Sequence, residues 1–141
     1  MKTILIALIA SIGIYGKTTS TVNPGIDYYN FTSDKLNFQL TIPLDLKNNL
    51  IINETENSVV FKYDFHNYSN TVFLFSINKV ADKSWIQLQD NLKNTLVLNN
   101  KGGYITYSEI AQENNLQGKN KNEFKNILTR VNELLKSYKE I

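Results

Sequence analysis

The sequence Val72-Phe73-Leu74-Phe75-Ser76-Ile77 decides the fold, because apolar residues follow one another there without polar alternation. A short apolar run bounded by turn signals is typical of a strand with both faces buried. The preceding residues His66–Asn70 (HNYSN) have the composition of a turn. We therefore predict that residues 72–77 form a strand in the middle of a sheet that is covered on both faces.

Further strands are predicted from an apolar period of two. They cover Leu36–Ile42, Leu50–Asn53, Ser58–Phe65, Leu96–Leu98 and Tyr104–Ile110. Pro43 ends the first of them because proline has no amide hydrogen to donate. Residues 44–49 are a turn or one helical turn. Gly102 and Gly103 supply the positive φ angles that a tight hairpin needs between the last two strands.

Two amphipathic helices complete the domain. The first begins near Asp82 or Ser84 and turns Trp85 towards the sheet. The second is capped by Asn120 and carries an apolar stripe of Phe124, Ile127, Leu128, Val131, Leu134, Leu135 and Tyr138. We predict an α+β fold: a mostly antiparallel sheet of about six strands flanked by helices, an α/β/α sandwich.

The first twenty residues differ from the rest of the chain. Lys2 precedes the uncharged apolar run Ile4–Ile14, which is the layout of a secretory signal peptide and is too short for a spanning helix. We expect residues 1–20 to be a signal peptide or an uncleaved anchor, 21–33 a linker and aromatic lead-in, and 34–141 one domain. The protein is then secreted or resides in the cell envelope, with membrane contact only through an uncleaved leader.

Charge and composition exclude several classes of function. Removing Lys2 and Lys17 from the 15 basic residues leaves 13 against 13 acidic residues, so the body is neutral and nucleic acid is not an expected partner. The absence of cysteine excludes disulfides and thiolate metal sites, and a single histidine excludes any site with two imidazoles from this chain. No cofactor, metal or catalytic residue is predicted.

The aromatic residues are the remaining functional signal. Tyr28, Tyr29 and Tyr68 lie outside the strongest periodic elements and are the candidate binding residues, for a sugar ring or for a partner protein. Trp85 is expected to anchor the first helix to the sheet. His66 is expected to be a solvated loop residue, because the sequence supplies neither a partner nor a cleft for it.

Asparagine is frequent, and three Asn-x-Ser/Thr triplets begin at Asn30, Asn53 and Asn67. They are glycan acceptors if the source is eukaryotic and chance products of the composition if it is bacterial.

The pattern also resembles a known group of proteins. The residues that carry the resemblance are Phe38-x-Leu40-x-Ile42-Pro43, Lys47, Ile52-x-Glu54, Val59-x-Phe61-x-Tyr63, Leu74-Phe75-x-Ile77, Trp85, Gly103-Tyr104-x-x-Tyr107, and Leu134, Leu135 and Ser137. The chain is similar to small secreted or lipid-anchored proteins of low-GC Gram-positive bacteria with a PsbP/Mog1-type α/β/α sandwich. The resemblance implies a non-enzymatic domain and carries over no catalytic residue. This chain lacks the lipobox cysteine of many relatives and the Trp that follows their Ile-Pro.

Two functions follow as expectations. The first is a secreted or cell-envelope binding module without chemistry of its own, for another envelope protein or a glycan. The alternative is a small extracellular hydrolase of glycans or wall polymers. It needs two converging carboxyls, one with a raised pKa. Its candidates are Asp27, Asp45, Glu54, Asp64 and Glu109.

Overall fold

The computed structural model of the protein describes residues 25–112 and 115–141. The strands are β1 (Tyr28–Ser33), β2 (Phe38–Pro43), β3 (Leu50–Glu54), β4 (Ser58–Tyr63), β5 (Val72–Ala81), β6 (Thr95–Lys101), β7 (Tyr104–Ile110) and β8 (Lys139–Glu140). The helices are α1 (Leu44–Lys47), α2 (Asp82–Leu88), which a 3-10 turn continues over Gln89–Asn91, and α3 (Gly118–Lys136). The predicted leader, residues 1–20, lies outside the described residues.

The strands form two antiparallel sheets, ordered β1-β2-β8 and β3-β4-β5-β7-β6. The α+β class with mostly antiparallel pairing is confirmed. The structure differs from one sheet of about six strands because β2 pairs with β1 on one side and with β8 on the other. The aromatic lead-in Tyr28–Ser33 pairs along the whole of β2, and the chain end pairs with its other edge, Phe38 opposite Glu140. Residues 38–43 therefore belong to a separate three-stranded sheet.

The apolar run 72–77 lies in the central strand of the five-stranded sheet, as predicted. Leu74, Phe75, Ser76 and Ile77 are consecutive and buried, which requires cover on both faces. Phe73 was predicted to be buried with them, and it is 36% exposed. The reason is a bulge: Phe61 pairs with Phe75, but the next residue, Lys62, pairs with Phe73.

The helices α2 and α3 pack against different strands. Trp85 of α2 lies 4.8 Å from the ring of Tyr107 on β7, which confirms that it anchors this helix. The stripe of α3 is buried at Phe124, Ile127, Val131, Leu134 and Leu135, while Leu128 is only partly buried. This helix contacts β2 of one sheet and β5 of the other.

The predicted helix caps are wrong. Ala81 precedes α2 and Gln117 precedes α3, and neither forms a side-chain capping hydrogen bond. Asn120 lies inside α3, where its side-chain amide donates a hydrogen bond to Asn67 at 2.9 Å instead.

A chain of aromatic rings joins the two sheets. Phe61 and Phe75 stack within the larger sheet at 4.3 Å with an interplanar angle of 10°. Phe31 of the smaller sheet meets Phe61 edge-on at 5.4 Å and lies 6.1 Å from Phe38. Phe38 in turn stacks on Tyr138, just after α3, at 5.5 Å. Such pairs contribute roughly 0.5–1.5 kcal/mol each beyond their buried area.

Phe75→Ala is expected to lower the free energy of unfolding by about 3–5 kcal/mol, because Phe75 is fully buried and its removal leaves a cavity beside Phe61. Phe73→Ala, in the same strand, is the matched control and should cost about 1–2 kcal/mol, since part of that ring stays in water. Urea unfolding followed by circular dichroism measures both. Equal losses of unfolding free energy would contradict the conclusion that the bulge leaves Phe73 less buried than Phe75.

Candidate functional site

The three candidate tyrosines do not form one platform. Tyr28 and Tyr29 are consecutive on β1, so their side chains leave opposite faces of the strand. Lys47 Nζ lies 5.3 Å from the centroid of the Tyr29 ring, and burial raises the pKa of Tyr29. Tyr68 lies on the loop between β4 and β5 and is 38% exposed. Of the three, only Tyr68 lines a cleft where β5 begins and β7 ends.

That cleft has a volume of about 490 Å³ and lies where β5 begins and β7 ends. We call it the β5–β7 cleft. Its described lining residues are Tyr68, Asn70, Thr71, Val72, Phe73, Lys93, Glu109, Ile110, Ala111, Gln112, Asn115, Leu116 and Phe124. Volumes of roughly 300–1,000 Å³ are typical of small-molecule sites.

Asn94 joins two segments that line the β5–β7 cleft. Its backbone is left-handed, with φ of 54°, a conformation that asparagine tolerates better than most residues. Its side-chain amide donates to the carbonyl oxygens of Ile110 at 2.9 Å and Ala111 at 3.1 Å. The Ile110 amide donates back to the Asn94 carbonyl at 3.0 Å. Asn94 therefore fixes the end of β7 against the segment that carries Lys93.

Main-chain hydrogen bonds hold two further parts of the cleft lining. The Tyr68 amide donates to the Phe65 carbonyl at 2.7 Å, which closes the turn that presents the Tyr68 ring. The Ala111 amide donates to Leu74 at 2.7 Å and extends the pairing of β5 with the segment after β7.

The charged groups of the β5–β7 cleft are one amine and one carboxylate. Within the described residues, neither Lys93 nor Glu109 forms an ion pair or a side-chain hydrogen bond. Phe73 and Tyr68 add exposed aromatic surface beside them. Sequence reasoning missed Lys93, Phe73 and Asn94. Because asparagine is frequent in this chain, composition alone does not distinguish Asn94, whose amide joins two lining segments.

His66 has more neighbours than the sequence indicated. Its Nδ1 lies 3.6 Å from Asp64 Oδ2, and it borders a shallow cleft of about 300 Å³ that Glu123 also lines. The imidazole is 73% exposed, so this contact is a solvated surface pair of little energetic weight. The expectation of a solvated loop histidine is consistent with that exposure.

The hydrolase candidates are distributed over the fold, and two of them meet. Asp27 and Asp45 line a cleft of about 440 Å³ beside Leu44. Asp45 accepts two hydrogen bonds from Arg130, at 2.8 and 3.0 Å, and this pairing holds the pKa of the Asp45 carboxyl below its ordinary value. A general acid needs the opposite shift.

The remaining carboxyl candidates lie apart from that pair. Glu54 accepts a hydrogen bond of 2.5 Å from Ser33, a buried serine that also accepts from the Leu36 amide. This bond ties the end of β3 to the end of β1. Asp64 faces His66, and Glu109 lines the β5–β7 cleft.

Within the described residues, no group of three or more His, Cys, Asp or Glu side chains is placed to hold a metal ion. None of the described helices combines the length and apolar character needed to cross a membrane. The asparagines of the three Asn-x-Ser/Thr triplets, Asn30, Asn53 and Asn67, are all exposed.

Comparisons with protein families, with curated proteins and with solved structures find no significant match for this chain.

The phenol of Tyr63 should be the last to ionise. Burial, together with the hydrogen bond that its hydroxyl donates to Glu123 at 2.9 Å, raises the pKa of Tyr63 from 10.0 to about 12. A folded pKa above the unfolded one means a stability contribution that is complete below pH 10 and is lost as the pH rises through about 12. In an absorbance titration at alkaline pH, Tyr63→Phe should remove this last transition. Tyr68→Phe should retain it, and its loss there would contradict the assignment.

Two substitutions distinguish the contribution of the left-handed backbone of Asn94 from that of its side-chain hydrogen bonds. Asn94→Gly keeps the left-handed conformation and loses the two hydrogen bonds, so we expect a stability loss of about 1–2 kcal/mol. Asn94→Ala also strains the backbone and should cost about 1 kcal/mol more. Thermal and urea unfolding measure both variants. Wild-type stability of Asn94→Gly would show that the amide does not brace the cleft.

Proposed function

We propose that this protein is a non-enzymatic binding module of the cell envelope and that its ligand occupies the β5–β7 cleft. The observation that carries the proposal is the convergence of Tyr68, Phe73, Lys93 and Glu109 on one cleft. Both aromatic residues are partly exposed, and neither charged residue forms an ion pair with another described residue. Unpaired groups around a concave surface are available to a ligand without first breaking an internal contact.

We also propose that the protein has no enzymatic activity. Glu109 is the carboxyl that lines the β5–β7 cleft among its described residues, and carboxylate-pair hydrolysis needs a second one within reach. The cleft of Asp27 and Asp45 offers two carboxyls to the hydrolase alternative. Arg130 occupies both oxygens of Asp45, which disfavours proton donation by that residue.

The fold and the location are proposed on separate grounds. A PsbP/Mog1-type sandwich is supported by the placement of α2 and the main core: α2 covers Tyr107, whereas the alternate residues of β7 face the other way. The envelope location is supported by the sequence of residues 1–20.

Co-sedimentation with insoluble envelope material tests the proposal. Wild-type protein and Tyr104→Ala should pellet with the material, and Tyr68→Ala should remain in the supernatant. Tyr104 is a matched control because it is also an exposed tyrosine, with 49% of its surface accessible, and it does not line the cleft. Equal pelleting of all three proteins would contradict the proposed site, and release of soluble sugar or peptide during incubation would contradict a non-enzymatic role.

A further inference from the structure

We infer that the ligand of the β5–β7 cleft is a neutral oligosaccharide. This inference rests on the proposed function and adds the chemical class of the ligand. Charge, hydrogen-bonding capacity and shape of the described lining support it independently.

The charges of the described cleft lining balance each other. Lys93 and Glu109 are the charged residues among its described lining, one of each sign. An anion or a cation gains no net electrostatic attraction from such a site, but it still loses its hydration on entering. The ligand that fits is polar and carries no net charge.

The uncharged polar groups favour a ligand whose groups both donate and accept. Asn70, Gln112 and Asn115 each provide one acceptor and two donors, and Thr71 provides a hydroxyl. Glu109 accepts only, and Lys93 donates only. Sugar hydroxyls match this mixture because every one of them can donate to Glu109 or an amide oxygen and accept from Lys93 or an amide nitrogen.

The aromatic side chains favour a ligand with a flat apolar face. Tyr68 and Phe73 line the cleft and are 38% and 36% exposed, so part of each aromatic residue is open to a ligand. A pyranose ring presents C–H groups on its faces and hydroxyls around its rim, so it can pack on such rings while its rim reaches the polar groups.

A folded protein partner fits the cleft less well. A stable protein interface buries about 800 Å² on each partner around a hydrophobic centre. The β5–β7 cleft is a concavity of about 490 Å³ with a mixed lining, which suits a few sugar rings rather than a broad surface.

Titration of the isotope-labelled full chain with cellotetraose and with chitotetraose, followed by amide chemical shifts, tests the inference. We expect saturable shifts at Asn70–Phe73 and Ile110–Gln112, with a Kd of about 1 mM or lower for at least one of the two sugars. Oligogalacturonate of equal length is the charged counterpart and should bind at least tenfold more weakly.

Variants locate the binding. Phe73→Ala and Tyr68→Ala should each weaken binding about tenfold, and Glu109→Gln severalfold, because glutamine keeps the shape and loses the charged acceptor. Tyr104→Ala and Glu56→Gln, both outside the cleft, should bind like wild type. The dispersion of the amide spectrum confirms that every variant is folded.

The outcomes separate the inference from the proposed function. An acetylated, amidated tetrapeptide without charged side chains is titrated in parallel. If it shifts the cleft and neither neutral sugar does, the saccharide assignment is overturned while the binding module stands. Tighter binding of oligogalacturonate overturns neutrality of the ligand. If no probe binds and Tyr68→Ala still pellets with envelope material, both proposals fail.

Discussion

The structure depends on the stacked pair of Phe61 and Phe75 and on the rings that continue it into the second sheet. A three-stranded sheet with a two-residue outer strand has little stability of its own. It is held because Phe31 packs against Phe61, and because the chain end returns after α3. Ser137 closes this return: its hydroxyl accepts from the Thr41 amide at 2.9 Å.

The same stacking positions the β5–β7 cleft. With Phe75 fixed opposite Phe61, the extra residue in β5 turns Phe73 to the other face of the sheet. The loop before β5 and the end of β7 meet beside it, where Asn94 binds two carbonyls. One bulge thus sets both a core contact and the exposed position of Phe73, so the geometry of the cleft is coupled to the packing behind it.

The distribution of charge is consistent with the proposed binding role. The best-formed ion pair, Asp45 with Arg130, joins α1 to α3 across the surface and stabilises the ionised carboxylate. The Tyr63 hydroxyl donates a hydrogen bond to Glu123, and burial together with this bond favours the neutral phenol. The groups that remain unpaired in the β5–β7 cleft are those that a polar ligand can use.

The sequence by itself determined the α+β class, the central strand at 72–77, the glycine hairpin and the buried stripe of α3, because local periodicity and turn chemistry specify them. The tertiary structure alone decided that Tyr28–Ser33 pairs with β2, that the strands divide into two sheets, and that Tyr68 meets Phe73, Lys93 and Glu109. Those outcomes depend on pairing between distant segments and on a bulge that breaks the period of two. Neither can be predicted from the local hydrophobic periodicity of the sequence.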